Sequence, residues 1–252
     1  MKQRPRVLVI AGSDSSGGAG LLRDAQVLSE FNADMLCAIT AVTAQTDDRV
    51  DATFYVPPDL VAQQVSNALE SGQISAIKIG MLGSRAIVEA VVRALPRREL
   101  IPIVLDPVLA SSSGVPLLDS DGLAALREVL LPLSTLVTPN LIEAAALLGE
   151  ALATTEARMV EQAERILSMG PAGVLLKGGH ATGKEAVDML LVTDAPMMRL
   201  CAERVDIQLR GTGCALSSAI ATELGHGSAL AAACKCGKQY VLGKLLERKA
   251  RS

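Results

Sequence analysis

The sequence predicts an α/β sandwich built from βαβ units. Short β-branched runs alternate with longer helical patterns along the chain. Most of the short runs are continuously apolar, as strands buried on both faces of a parallel sheet are. Half of the 252 residues are hydrophobic, which supplies a sizeable core. No linker or repeat divides the chain, so one domain over residues 1–252 is expected.

The elements follow in order. A strand is expected over Val7–Ala11, then a helix over Ala19–Glu30. A second strand, Met35–Ala41, leads to a helix over Pro58–Glu70, with Pro58 at a favourable first helical position. Strand Ala76–Ile79 precedes helix Ser84–Leu95, and strand Ile103–Leu105 precedes helix Asp121–Leu131. Ser84 and Ser120 suit the N-cap positions of those helices. Strand Leu136–Thr138 is followed by helices Leu141–Leu147 and Thr155–Met169, then by strand Val174–Lys177. Val187–Val192 and Met197–Cys201 read as a hairpin turned at Asp194-Ala195-Pro196. Two helices close the order, Gly213–Leu224, stopped at Gly225, and Ser228–Arg248.

Composition excludes several classes of function. The chain carries 27 acidic and 24 basic residues, a net charge of −3, which gives nucleic acid or an anionic membrane no hold. With two Tyr, two Phe and no Trp, there is no stacking platform for single strands. No apolar run approaches the ~18 residues of a membrane span, and the apolar stretch near the N-terminus is too short for a secretory signal. Five widely spaced cysteines do not form a disulfide framework. Cys234 and Cys236 lie two apart in a helical stretch, where side chains diverge. A cytoplasmic, reduced protein is expected.

In open α/β sheets ligands bind beyond the carboxyl ends of the strands. The first such place is Gly12-Ser13-Asp14-Ser15-Ser16-Gly17-Gly18-Ala19-Gly20, whose glycines allow close backbone approach at a helix start. Beyond the second strand, Gln45 offers both donor and acceptor, which suits a heterocycle edge. Beyond the third, Met81 lies among glycines and can pack on a flat ring. Asp106 ends the fourth strand, where a buried carboxylate needs a partner or a cation. Glu143 opens the helix after the fifth. It either joins Asp106 on one Mg²⁺ or simply complements the helix dipole.

Lys177 ends the sixth strand before Gly178-Gly179-His180 and could reach a phosphate. Snorkelling from the sheet end is the alternative. Gly178 through Gly183-Lys184 approaches a phosphate-binding P-loop in spacing. Glu185 stands where Ser or Thr must bind Mg²⁺, and a strand follows rather than a helix, so that match is rejected. The sharpest signal is Arg210-Gly211-Thr212-Gly213-Cys214, which runs into a small-residue helix. Its amides would form an anion hole able to stabilise charge on a transferring phosphoryl group. The helix N-terminus, with Arg210 beside it, would lower the Cys214 thiol pKa; a capped helix with a buried Cys is the alternative.

Seven segments, AGSDSSGGAG, TAVTAQT, KIGMLGS, VLDPVLASSSG, LVTPNLIEAAALLG, VLLKGGH and GTGCALSSAIA, occur in one order between residue 7 and about residue 222. Together they resemble the ribokinase-like superfamily, and within it the hydroxymethylpyrimidine/phosphomethylpyrimidine kinases of thiamine biosynthesis. The resemblance implies a three-layer α/β/α sandwich around a mostly parallel sheet. It implies transfer of the ATP γ-phosphoryl group to 4-amino-5-hydroxymethyl-2-methylpyrimidine and then to its monophosphate, with Mg²⁺. It also implies a homo-oligomer, a dimer being expected.

By the same resemblance Gln45 reads the pyrimidine edge and Asp24 meets the hydroxymethyl group or its phosphate. Gly12, Val42 and Met81 wall the ring. Asp106 and Glu143 organise the metal, and Lys177 serves the phosphates. Thr212 and Asn140 belong to the nucleotide site, and Gly211 and Gly213 to the anion hole. Cys214 stands where the wider superfamily has an Asp base and would take the hydroxyl proton. The family commonly has His before G-T-G-C; here Arg210 would keep a positive charge near the phosphates. Two other readings stand beside this one: a pyridoxal kinase on the same scaffold, and a catalytically silent relative that binds a pyrimidine or nucleotide.

Overall fold

The computed structural model describes residues 4–96, 101–111, 113–179 and 184–251. Among these, nine strands form one sheet in the order β3-β2-β1-β4-β5-β6-β7-β8-β9. They are β1 (Arg6–Asp14), β2 (Asp34–Gln45), β3 (Val50–Tyr55), β4 (Ile74–Ile79), β5 (Ile103–Leu105), β6 (Leu136–Val137), β7 (Gly173–Lys177), β8 (Glu185–Val192) and β9 (Met198–Glu203). The run from β2 through β1, β4, β5 and β6 to β7 is parallel. The outer strands β3, β8 and β9 pair antiparallel, so the sheet is mostly parallel, as expected.

Two helical layers cover it. On one face lie α2 (Pro58–Glu70), α3 (Arg85–Ala94), α4 (Ser120–Ala125), α5 (Leu141–Leu148) and α6 (Glu156–Leu167). On the other lie α1 (Gly20–Glu30), α7 (Thr212–Gly225) and α8 (Leu230–Arg251). Strand alternation divides the core between the layers. Leu8, Ile10, Ile77, Ile79, Leu105, Val137 and Leu176 face the five-helix layer. Val7, Val9, Ala76, Val104, Leu136 and Leu175 face α1, α7 and α8. A consequence for chemistry follows from the period of two. Lys78, Lys177 and Asp188 are in step with the second set, so their side chains emerge under the α1–α7–α8 layer.

Helix α7 lies close over the sheet because its buried positions are mostly small: Ala215, Ser217, Ser218, Ala219, Ala221 and Thr222. Small residues let backbones approach, and here they bring the helix N-terminus over the ends of the parallel strands. Gly225 meets Pro5, Ser75 and Ala76, so its lack of a side chain serves the approach to β4. The left-handed turn that ends this helical run falls at Gly227 instead.

Three expectations need correction. The strand expected to end at Ala41 runs to Gln45 and turns back into β3, which the sequence pattern did not announce. The helix expected over Asp121–Leu131 starts at Ser120 and is regular only to Ala125. A wide π turn (Leu126–Leu130) and a 3₁₀ turn (Leu131–Leu133) follow, the latter containing Pro132. Its N-cap is Asp119, whose carboxylate accepts from the Gly122 amide, rather than Ser120. Ser84 caps α3 as expected. His180 and Gly183 lie outside the described residues. No helix among the described residues is long and apolar enough to cross a membrane.

Candidate active site

The strand ends bring two buried charge pairs together beneath the first turns of α7. Lys177 Nζ lies 3.2 Å from Asp106 Oδ1 and 3.9 Å from Glu143 Oε2, so one ammonium stands between two carboxylates. Thr138 Oγ1 donates to Asp106 Oδ1 at 3.3 Å, and Ser217 Oγ to Oδ2 at 3.4 Å. Lys78 Nζ lies 3.0 and 2.8 Å from the two oxygens of Asp24. Ser218 Oγ donates to the same Asp24 at 2.7 Å. Ser217 and Ser218 are adjacent on α7, so one helical turn serves both pairs.

The turn before α7 carries the residues that the sequence suggests as an anion hole. Gly211 is left-handed at φ 72°, and Thr212 begins the helix. A Cβ on Gly211 would lie 2.3 Å from the carbonyl oxygen of Gly18, so the two glycine loops interlock backbone to backbone. A Cβ on Gly213 would lie 3.4 Å from Lys177 Nζ and 3.6 Å from Asp106 Oδ2. Gly213, in the first turn of α7, therefore packs a methyl group's width from the lysine and the aspartate. A helix N-terminus beside an ammonium suits an anion.

The charges have clear causes. Burial works against the ammonium of Lys177, but Asp106 and Glu143 outweigh it and hold its pKa above the ordinary value. Burial likewise opposes the charge on Lys78, and Asp24 overrides it. Burial pushes Glu143 up to about 7, against the pull of Lys177 and with help from Asp106. Burial pushes Cys214 up to about 11, with Lys78 the main opposing charge. The lowered thiol expected at this helix N-terminus is therefore not found: desolvation exceeds the combined attraction of nearby charges.

Glu143 serves two roles. Its Oε2 accepts from the Asn140 amide at 2.7 Å, while Asn140 Oδ1 accepts from the Glu143 amide at 2.8 Å. This reciprocal capping box fixes the start of α5 and aims the carboxylate at Lys177. Asn140 spends its amide oxygen on that cap, while an isolated bridge pairs its backbone with Lys177.

The ring-wall residues form a separate patch beside the charges. Gly12 is buried against Met81, whose Sδ lies 2.8 Å from where a Cβ would stand. Met81 clusters with Ala41, Leu117 and Val108. Thr40 Oγ1 donates to the Met81 carbonyl at 2.6 Å and fixes that turn. Val42 is exposed, at the start of the β2 extension that ends in Gln45. The side-chain oxygen of Gln45 accepts from Thr43 Oγ1 at 3.3 Å. Thr212 sits on the far side, in a narrow cleft with Arg23, Tyr240 and Lys244.

Two residues are placed otherwise than expected. Asp24 is fully buried with both oxygens on Lys78, so it has no face for a substrate. Arg210 lines the cleft with Gly211 and Thr212, but its outer nitrogens are taken by Asp14, Asp47, Ser16 and the Thr46 carbonyl.

The family model described as phosphomethylpyrimidine kinase matches residues 14–250. The chain belongs to the phosphomethylpyrimidine kinase family. It is 43% identical to the hydroxymethylpyrimidine/phosphomethylpyrimidine kinase of Rhizobium meliloti, over 93% of this chain and 88% of that one. The solved phosphomethylpyrimidine kinase of Clostridium difficile is 33% identical, with a TM-score of 0.83, covering 96% of this chain and all of that one. The ADP complex of Bacillus subtilis pyridoxal kinase is 31% identical, with a TM-score of 0.86, over 94% and 90% of the two chains. As a member of the phosphomethylpyrimidine kinase family the protein is a phosphotransferase, which sets aside the silent-relative reading.

Within this kinase the sequence reading missed Lys78, Thr138, Ser217 and Ser218. Lys78 had a visible signal, since a lysine interrupts the apolar run Ala76–Ile79. The serines had none, because small polar residues in a buried helix read as packing.

Proposed function

We propose that the protein transfers the γ-phosphoryl group of ATP to 4-amino-5-hydroxymethyl-2-methylpyrimidine and then phosphorylates the monophosphate. The product is the pyrimidine diphosphate used in thiamine biosynthesis. The observation that supports this reading is the packing of Gly213, in the first turn of α7, against Lys177 and Asp106, with Lys177 held between Asp106 and Glu143.

The wall and Gln45 hold the flat ring, and its hydroxymethyl oxygen points at the space before Lys177. That oxygen attacks the γ-phosphorus, the bond to the bridging oxygen breaks, and ADP leaves. The α7 amides and Lys177 hold the charge that collects on the transferring group. Cys214 takes the hydroxyl proton as thiolate, a minor form at neutral pH. In the second transfer the acceptor is an ionised phosphate, so orientation suffices.

Asp106 and Glu143 would hold a magnesium ion through the oxygens that Lys177 and the Asn140 amide leave open. They are two hard oxygen donors in a buried place, the chemistry Mg²⁺ prefers. No group of three or more His, Cys, Asp or Glu among the described residues is placed to hold a metal. Two carboxylates suffice for Mg²⁺, which fills its shell with waters and substrate phosphates. When bound, the ion supplies neutralisation of phosphate charge. Thr212 and Asn140 lie on the nucleotide side. The enzyme is cytoplasmic in this reading and works as a homo-oligomer, a dimer being expected.

A pyridoxal kinase is the second reading, favoured by the 0.86 TM-score to the Bacillus subtilis pyridoxal kinase. The test is a coupled assay with Mg·ATP and each alcohol, products resolved by mass. Pyrimidine mono- and diphosphate appearing in sequence supports the first reading; greater efficiency on pyridoxal replaces it with the second.

A further inference from the structure

We propose that Arg210 is a positioning residue that fastens the loops around the pyrimidine to the anion-binding turn, making both halves of the site one unit. The proposal deepens the functional reading above and rests on it for the identity of the two halves. Arg210 immediately precedes Gly211, yet its guanidinium reaches back across two other loops. Nη1 lies 3.0 Å from Ser16 Oγ, 3.0 Å from the Thr46 carbonyl oxygen and 2.9 Å from Asp47 Oδ1. Nη2 lies 3.2 Å from Asp14 Oδ2. The plane of the group sits on Gly18, where a Cβ would come within 3.2 Å of Nη1.

Each partner is itself tied to the loop it belongs to. Asp14 accepts from the Ser16 and Ala19 amides and from Ser16 Oγ, so it shapes the turn after β1. Ser15 Oγ both donates to the Gln45 carbonyl oxygen at 3.0 Å and accepts from its amide at 2.9 Å. Thr46 and Asp47 follow Gln45 directly. A continuous set of bonds thus joins Gln45 to Arg210, and Arg210 is one peptide unit from the anion hole. All of this uses the planar fork of a guanidinium; a lysine offers a point charge that cannot bind Asp14 and Asp47 together. Its outer nitrogens are committed to these loops, and only Nε is left without a partner.

The experiment compares wild type, Arg210→Ala, Arg210→Lys and the milder Asp47→Ala by hydrogen exchange and by kinetics. Expected is faster exchange in residues 14–19, 45–49 and 211–214 together in both Arg210 variants. Arg210→Ala should lose kcat by about 10- to 100-fold with a pyrimidine dissociation constant changed less than about threefold. Millimolar guanidinium should restore part of kcat in Arg210→Ala, and methylammonium should not. Asp47→Ala should keep the fold and loosen only residues 45–49. Exchange confined to residues 209–211, unchanged kcat with a raised KM for ATP, or loss without guanidinium rescue overturns the proposal. If wild type ignores the pyrimidine, the functional reading fails, while the three-loop exchange pattern still decides the fastening.

Discussion

Lys78 Nζ lies 2.8 Å from Asp24 Oδ2, and neither side chain has any exposed surface. A buried ion pair gains little over apolar packing, but breaking it by removing one member is costly. Lys78→Met should destabilise the protein by about 3–5 kcal/mol, because Asp24 is left buried with only Ser218. Adding Asp24→Leu should return much of that loss. Urea unfolding of the two single variants and the double variant measures the coupling; additive losses would show that the pair acts separately.

Glu143 gives the unliganded protein a pH dependence with a definite sign. Its folded-state pKa is raised to about 7, above the 4.5 of a free glutamate, so the folded chain binds its proton more tightly than the unfolded chain. The contribution to stability is full below the unfolded value and is lost as pH rises toward 7. Without metal or nucleotide, stability should decline across that window, and Glu143→Gln should flatten the decline. Melting curves from pH 4.5 to 8 check it. The same variant should weaken use of Mg·ATP.

Cys214 separates the two phosphoryl transfers. Its thiol is held up to about 11 in the unliganded chain, so the thiolate fraction grows throughout the neutral and mildly alkaline range. Alcohol phosphorylation should rise with pH there, and phosphorylation of the monophosphate should rise less. Cys214→Ala should cost the first transfer about 10- to 100-fold and the second only a few-fold. Equal losses in both steps remove the base role.

The two glycines of the anion hole should fail in different ways. Gly211→Ala forces φ 72° on a residue with a side chain and drives its Cβ into the Gly18 carbonyl, a cost of at least about 1–3 kcal/mol in stability. Gly213→Ala meets only contacts of 3.4 Å and more, so the fold should survive. Its methyl group would fill the gap before Lys177, and kcat/KM should fall by about tenfold or more. Denaturation and steady-state kinetics on both variants distinguish these outcomes.

Much of this architecture was readable without coordinates, for physical reasons. The parallel strands are buried on both faces, so runs such as Val7–Val9 and Ile103–Leu105 stand out by composition alone. Strand β3 did not, because its residues are exposed or half-buried and carry no alternation. The site residues at strand ends were legible because topology fixes where ligands go in such sheets. The electrostatic balance was not. Lys78 and Asp24 are 54 positions apart, and nothing in one segment reports the charge of the other. Cys214 shows the same limit: its position at a helix start and a buried alternative were visible, but the balance of Lys78 against Asp24 and Asp106 around it was not. The reach of Arg210 to Asp14, across 196 positions, likewise belongs to the folded chain only.

The interlock of Gly18 with Gly211 also bears on how the molecule comes into being. The first turn of the chain and the turn before α7 press backbone on backbone, with nearly the whole sheet threaded between them. Such distant closure is entropically expensive and forms late. All six parallel strands, and the antiparallel ones beside them, precede α7 in the chain. The turn proposed to hold the phosphoryl group therefore reaches its place only after the whole sheet has been synthesised.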